Sequence, residues 1–221
     1  MNSSEGDVHW KAAEKCMSTN MFKWSSDHLS ASSHYEKAGL SFALAGNLSK
    51  ASSSFKNSAK SYARTGSLFK AGTMMEKCAE MEWNLFLQNK NKDGNSLSFM
   101  EKALEEAAEY FVDMGELPKA SDVYKKMAIR MEKIHPLFSL PYFIKACDFI
   151  QASEKPHLAI DVFRTTLGIL IKNGKIEKAL LLVDRLIPLC ITLKQDGQIH
   201  KYLLTKTILQ LSRYVFNIIL K

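Results

Sequence analysis

One spaced pattern recurs along this chain and limits what it can fold into. It runs aromatic or apolar, three residues, Gly, one residue, apolar, one residue, Lys-Ala, three residues, large apolar. It reads Phe42, Gly46, Leu48, Lys50-Ala51, Phe55, and again Tyr62, Gly66, Leu68, Lys70-Ala71, Met75. It returns as Phe111, Gly115, Leu117, Lys119-Ala120, Tyr124 and as Leu170, Gly174, Ile176, Lys178-Ala179, Val183. A degenerate copy is Ile150, Glu154, Pro156, Leu158-Ala159, Phe163. The first large residue suits the last turn of a helix. Gly takes the left-handed conformation that ends it, because it has no β-carbon to clash. The next apolar residue opens the following helix and packs back on the previous one. Ala lets the two backbones approach, and the last large residue continues the same face one turn on. The pattern is a helix–turn–helix corner, and its repetition predicts stacked antiparallel helix pairs.

Between corners the apolar spacing stays helical over 27–45, 48–65, 68–88, 97–114, 117–134, 139–153, 157–173, 176–193 and 198–219. With a short helix near 8–19 this gives about ten helices, and no stretch alternates like a strand. The predicted class is all-α: a tetratricopeptide-like right-handed solenoid of antiparallel helix pairs, forming one domain over 1–221. Two helices span about 40 residues against about 34 in the usual tetratricopeptide repeat, so this is a longer-helixed relative of it. KNKDGNS, Lys90 to Ser96, reads as the clearest loop. Pro136 and Pro141 bracket a second break, and Pro188 should kink or end its helix.

The motifs of chemistry are missing. None of the six histidines lies three or four residues from another His or Cys, so no metal-binding array is visible. Gly174-Lys175 lacks the rest of a phosphate-binding loop, and no nucleophile elbow occurs. Glu105, Glu106 and Glu109 lie near Lys102 as a solvated helix face would. Cys16, Cys78, Cys147 and Cys190 have no metal or redox spacing and read as reduced core thiols of the cytosol. No secretory signal and no clean membrane span is visible. The chain therefore reads as a binder with no cofactor, metal or catalytic residue. The formal charge of +7 belongs to one half. Residues 1–110 hold 13 Lys/Arg and 13 Asp/Glu, and residues 111–221 hold 17 and 10. That half suits an acidic partner, which could be protein, nucleic acid or anionic lipid, or is a solvated basic surface.

TNMFKWSSD, Thr19 to Asp27, sits between two helical patterns and ends like a loop, yet carries Met21, Phe22 and Trp24 around Lys23. With the corners around it, the run from Phe22 to Glu80 resembles the soluble N-ethylmaleimide-sensitive-factor (NSF) attachment proteins, most of all the gamma type. The matching features are the early Phe-Lys-Trp, the Ala-rich helix with Tyr35 and Ala38, and the ordered corners. KASDVYKKMAIRMEKI and YFIKACDFIQASEKPHLAIDVF fit the same family, so the resemblance covers roughly 8–210.

The resemblance implies an adaptor that hydrolyses nothing. Such proteins grip the four-helix bundle of membrane-fusion receptors (SNAREs, including syntaxin-type proteins) and recruit a hexameric AAA ATPase that pulls it apart. It implies a cytoplasmic protein, peripheral on membranes, with Met21, Phe22, Lys23 and Trp24 as the membrane-contact loop; a staple folded back on the first helix pair is the other reading of those residues. It offers Lys145 and Lys201 for the SNARE-binding basic face. Arg130, Lys133 and Arg164 join them on charge distribution alone. Family members run well beyond 221 residues, so the family's C-terminal bundle and its acidic, leucine-bearing end are largely missing. A final helix without that cover should expose Tyr214, Val215, Phe216, Ile218, Ile219 and Leu220. A scaffold for an unrelated complex is the alternative. A nucleic-acid-binding repeat would need aromatics interleaved with the basic residues, whereas most aromatics here occupy corners.

Overall fold

The computed structural model describes residues 3–19, 25–88, 94–132, 134, 136–153 and 155–219. Among them are ten α-helices and no strand. In chain order they are α1 Ser3–Met17, α2 His28–Leu44, α3 Leu48–Arg64, α4 Leu68–Gln88, α5 Gly94–Asp113, α6 Leu117–Glu132, α7 Pro136–Ala152, α8 Pro156–Lys172, α9 Ile176–Thr192 and α10 Asp196–Ile219. The chain forms two compact units, Met1–Glu116 with α1 to α5 and Leu117–Lys221 with α6 to α10. Within each unit every helix packs on the next one in sequence, which is helical-solenoid packing.

The corners are built as their spacing predicts. Gly46, Gly66, Gly115 and Gly174 have φ of 77°, 74°, 74° and 66°. One residue later the chain closes back across the turn. The Asn47, Ser67, Glu116 and Lys175 N–H groups donate to the carbonyls of Phe42, Tyr62, Phe111 and Leu170 at 2.8–2.9 Å. That is the Schellman closure, which satisfies carbonyls the helix end leaves open. A methyl added at any of the four glycines would meet nothing within 4 Å. Glycine is there for its φ and not for space.

A fifth corner of the same form was hidden in the sequence. Lys194 has φ 53°, and the Gln195 N–H donates to the Cys190 carbonyl at 3.0 Å. Lysine occupies the left-handed position that glycine fills elsewhere. The degenerate copy after Ile150 takes another form, in which α8 opens on Pro156, where a missing N–H costs nothing.

Packing follows from the pattern. Ala51, Ala71, Ala120, Ala159 and Ala179 are fully buried, and so, nearly, are Phe42, Phe111, Leu170, Phe55, Met75 and Val183. The rings need somewhere to sit. A β-carbon at Gly6 would fall 2.6 Å from Phe42, and one at Gly39 would fall 2.7 Å from Phe55. These helical glycines are sockets for the ring of the next helix. The α2–α3 seam also holds small polar residues. Ser32 and Ser58 are buried, and the Ser58 hydroxyl donates across the seam to the Ser32 carbonyl at 2.8 Å.

Three cations tie alternate helices together over the ring of the helix between them. Lys50 of α3 lies 5.1 Å from the Phe42 ring centre on α2 and 2.8 Å from Asp7 on α1. Lys77 of α4 lies 5.5 Å from the Phe55 ring on α3 and 3.3 Å from Glu36 on α2. Arg185 of α9 lies 4.9 Å from the Phe163 ring on α8 and 2.8 Å from Asp148 on α7. The corner lysine thus has a function beyond solubility. Lys70 repeats the ring contact of Lys50, 5.2 Å over Tyr62.

Three sequence expectations need correction. α9 runs through Pro188 to Thr192, because fully buried Leu186 and Cys190 hold both sides of the lost hydrogen bond. Pro141 lies inside α7 in the same way, flanked by buried Leu140 and Tyr142, while Pro136 is the first helical residue. Of KNKDGNS, Gly94 to Ser96 already belong to α5. The expected exposure of the last helix holds at Tyr214, Val215 and Ile218; Leu220 and the side chains of Phe216 and Ile219 lie outside the described residues.

Two stability tests follow from these corners and clamps. Lys194→Gly should raise the unfolding free energy by about 1 kcal/mol in urea titration, and Gly66→Ala should lower it by about the same. Arg185→Gln should cost about 1 kcal/mol, and Lys50→Gln, whose ion pair is more exposed, less than about 0.5 kcal/mol.

Candidate functional site

The positive charge belongs to the second unit. Residues 117–221 hold 17 Lys/Arg and 8 Asp/Glu, a net of +9, while residues 1–116 hold 13 and 15, a net of −2. A rigid helical unit of that charge attracts an acidic surface and orients its approach.

The expected basic residues lie on four helices of this unit. Arg130 stands in the last turn of α6, Lys145 on α7, Arg164 on α8 and Lys201 on α10, all exposed. Lys133 lies outside the described residues. Lys145 is 5.2 Å over the ring of Tyr124. It stands 21 residues after its ring, one fewer than Lys77 and Arg185 after theirs. A ring beneath an ammonium holds its stem. Arg164 bonds Asp161 at 2.5 Å, and both line an open depression of about 490 Å³ with His157 and the turn from Gln195 to Gln198. Lys201 follows that turn by three residues. Under it Tyr202 is buried, and burial raises its phenol pKa.

Other cations of the unit were not singled out for this face in the sequence. Lys155, Lys175, Lys178 and Lys194, like Lys201, are exposed and form no ion pair among the described residues. Lys155, Lys175 and Lys194 stand at helix turns. By contrast Arg185, Lys206 and Arg213 are committed to Asp148, Asp184 and Glu177. The sequence signal that separates the groups is weak, since the acidic partners of Arg185, Lys206 and Arg213 lie 22 to 37 residues away.

The apolar loop residues Met21, Phe22, Lys23 and Trp24 lie outside the described residues. Both stems of that loop are fixed. The Asp27 N–H donates to the Cys16 carbonyl at 3.0 Å and the Ser26 hydroxyl to the Met17 carbonyl at 2.8 Å. Asp27 caps α2 by accepting from the Ser30 N–H. Trp10 meets the buried Tyr35 edge-on at 5.1 Å beside Ala13 and Ala31.

The thiols are quiet. Burial pushes Cys78 and Cys147 up to about 11, so neither is a thiolate near neutrality. Among the described residues no group of three or more His, Cys, Asp or Glu could hold a metal ion, and no helix is long and apolar enough to cross a membrane.

No family profile matches the chain. It is 24% identical over 197 residues to the gamma-soluble NSF attachment protein of Dictyostelium discoideum, covering 89% of this chain and 58% of that protein. It is 26% identical over 177 residues to the gamma-soluble NSF attachment protein of Arabidopsis thaliana, covering 80% of this chain and 58% of that protein. The chain thus spans less than two thirds of the length of either relative. Among solved structures, BtubC (BKLC) from P. vanneervenii superposes with a TM-score of 0.49 at 15% identity, over 85% of this chain and 72% of that one. A putative kinesin light chain of Podosopora anserina, with nearly identical TPR-like repeats, gives 0.40 at 13% identity, over 95% of each. By sequence, the chain is a distant relative of the gamma-type soluble NSF attachment proteins.

Proposed function

We propose that this chain is a non-enzymatic adaptor of vesicle trafficking. It binds the SNARE four-helix bundle, syntaxin-type proteins included, and recruits the hexameric AAA ATPase NSF for disassembly. The observation that carries this reading is the relationship to two proteins named for attachment to NSF, which extends over 80–89% of the chain. The charge distribution supports it, because an acidic bundle is complemented by a unit of net +9. On this reading Lys145 and Lys201 are the principal contacts. Arg130, Lys133 and Arg164 extend the face. The ring under Lys145 and the helix carrying Lys201 reduce the entropy lost when a partner orders the side chain.

The same reading gives the loop at Met21, Phe22, Lys23 and Trp24 a place against the bilayer, and the protein a cytoplasmic, membrane-peripheral location. Tryptophan favours the headgroup zone, and a lysine at an anionic surface contributes about 1 kcal/mol. Three partly inserted side chains add a few kcal/mol. That biases a bundle-bound adaptor toward the membrane and does not anchor it alone.

One assay tests both parts: capture of the chain by an assembled SNARE bundle, free or anchored in anionic vesicles. Lys145→Glu with Lys201→Glu should weaken capture about tenfold and flatten its salt dependence. Lys60→Glu in the first unit should leave it unchanged. Phe22→Ser with Trp24→Ser should weaken capture on vesicles only. Undiminished binding by the Lys145/Lys201 variant counts against the basic face, and undiminished vesicle binding by the loop variant counts against the membrane contact.

A further inference from the structure

An open depression of about 490 Å³ lies between the first turns of α8 and α10. These helices flank α9 and run in the same direction, so the positive ends of both face this rim. The lining carries charges of both signs: Arg164 against Asp161 and Asp196, with His157, Gln195 and Gln198 as its other polar members. Lys194 stands just before the lining turn and Lys201 three residues after it, both exposed. Arg164 and Asp161 are neighbours on one helix, and their side chains are 59 and 66% exposed. Such a pair contributes little, so another carboxylate can replace Asp161 at small cost.

The same place holds an unsatisfied donor. Tyr202 of α10 is 3% exposed, and its hydroxyl is buried with no hydrogen-bond partner among the described residues. Gln198, which lines the depression, stands one turn before it. Burial above all raises the phenol pKa, then the Cys190 thiol; Arg164 lowers it and Asp161 raises it. The hydroxyl is therefore a neutral donor near neutrality, within electrostatic reach of the Arg164–Asp161 pair. An orphaned buried donor costs the free protein stability, and an arriving acceptor removes that cost.

From this arrangement we infer that the depression takes one aspartate or glutamate side chain of an acidic protein partner, held by the Arg164 guanidinium and the Tyr202 hydroxyl. Asp161 stands in for that carboxylate in the free protein and gives up Arg164 when the partner arrives. The exchange is favourable because the released Asp161 is solvated, whereas the Tyr202 hydroxyl gains its first acceptor. A carboxylate fits better than a phosphate, because Asp161 and Asp196 repel a second negative charge in the same space. The inference rests on the acidic partner proposed above. To the basic face it adds a hidden donor, Tyr202, and an internal competitor, Asp161.

Fluorescence anisotropy with a labelled oligoglutamate peptide tests the site without the SNARE bundle, and capture by the bundle tests it within the proposed function. Tyr202→Phe should weaken both about fivefold while its urea midpoint stays equal or rises, since the change removes the orphaned hydroxyl and keeps the ring. A packing role alone would lower the midpoint. Asp161→Asn should strengthen both about threefold. Asp122→Asn, which removes the same charge from α6 of the same unit, should leave both within about 1.5-fold. Undiminished binding by Tyr202→Phe, or Asp161→Asn binding no tighter than Asp122→Asn, overturns the inference and leaves the proposed function standing. If the unaltered chain binds the peptide but not the bundle, and the variants behave as expected on the peptide, the proposed function fails and the carboxylate site stands. Binding of neither overturns both.

Discussion

Every level above the single helix depends on one backbone event, the left-handed residue that ends a helix and lets the next begin. At five corners φ lies between 53° and 77°, and the following N–H returns to the carbonyl of the last helical turn. That closure fixes where the next helix starts and which face it shows. At the Gly46, Gly66 and Gly174 corners the alanine and the large residue after it are then buried in the packing of successive helices. Four corners use glycine, which meets the conformation at no steric cost. The fifth uses Lys194, so the same geometry is held there against the β-carbon penalty by packing around buried Cys190.

Charge is used at two scales. Lys50, Lys77 and Arg185 bind a carboxylate two helices back across a buried ring, which sets the spacing of alternate helices within each unit. The remaining excess lies in the second unit, on exposed lysines at turns and on helix faces. Lys145 lies over the ring of Tyr124 and is exposed. Unpaired lysines at turns supply long-range attraction.

The sequence made the corners legible because glycine, Lys-Ala and the two large residues keep fixed distances within a short window. It hid the corner at Lys194 because the residue that marks the others is absent. It hid the clamps because Asp7 and Lys50, or Asp148 and Arg185, are dozens of residues apart and meet only after three helices stack. The α3 seam was obscured by composition, since buried serines look like surface until Ser58 is seen bonding to Ser32. Pro188 misled because a local rule about lost hydrogen bonds was outweighed by the burial of its neighbours. For the candidate site, the charge and its half of the chain were readable, but which cations have acidic partners was not. Which apolar residues of α10 are exposed was only partly visible, since they occupy both sides of one helix and only the fold says which side α9 takes.

The most direct test of this architecture is native-state hydrogen exchange at the amides of Asn47, Ser67, Glu116, Lys175 and Gln195. All five lie outside the helices, where amides ordinarily exchange freely. If the corners close as described, each should be protected by at least about a hundredfold, like the helix amides beside it. Exchange at the rate of an open loop at these five positions would contradict the corner and the stacked helices that depend on it.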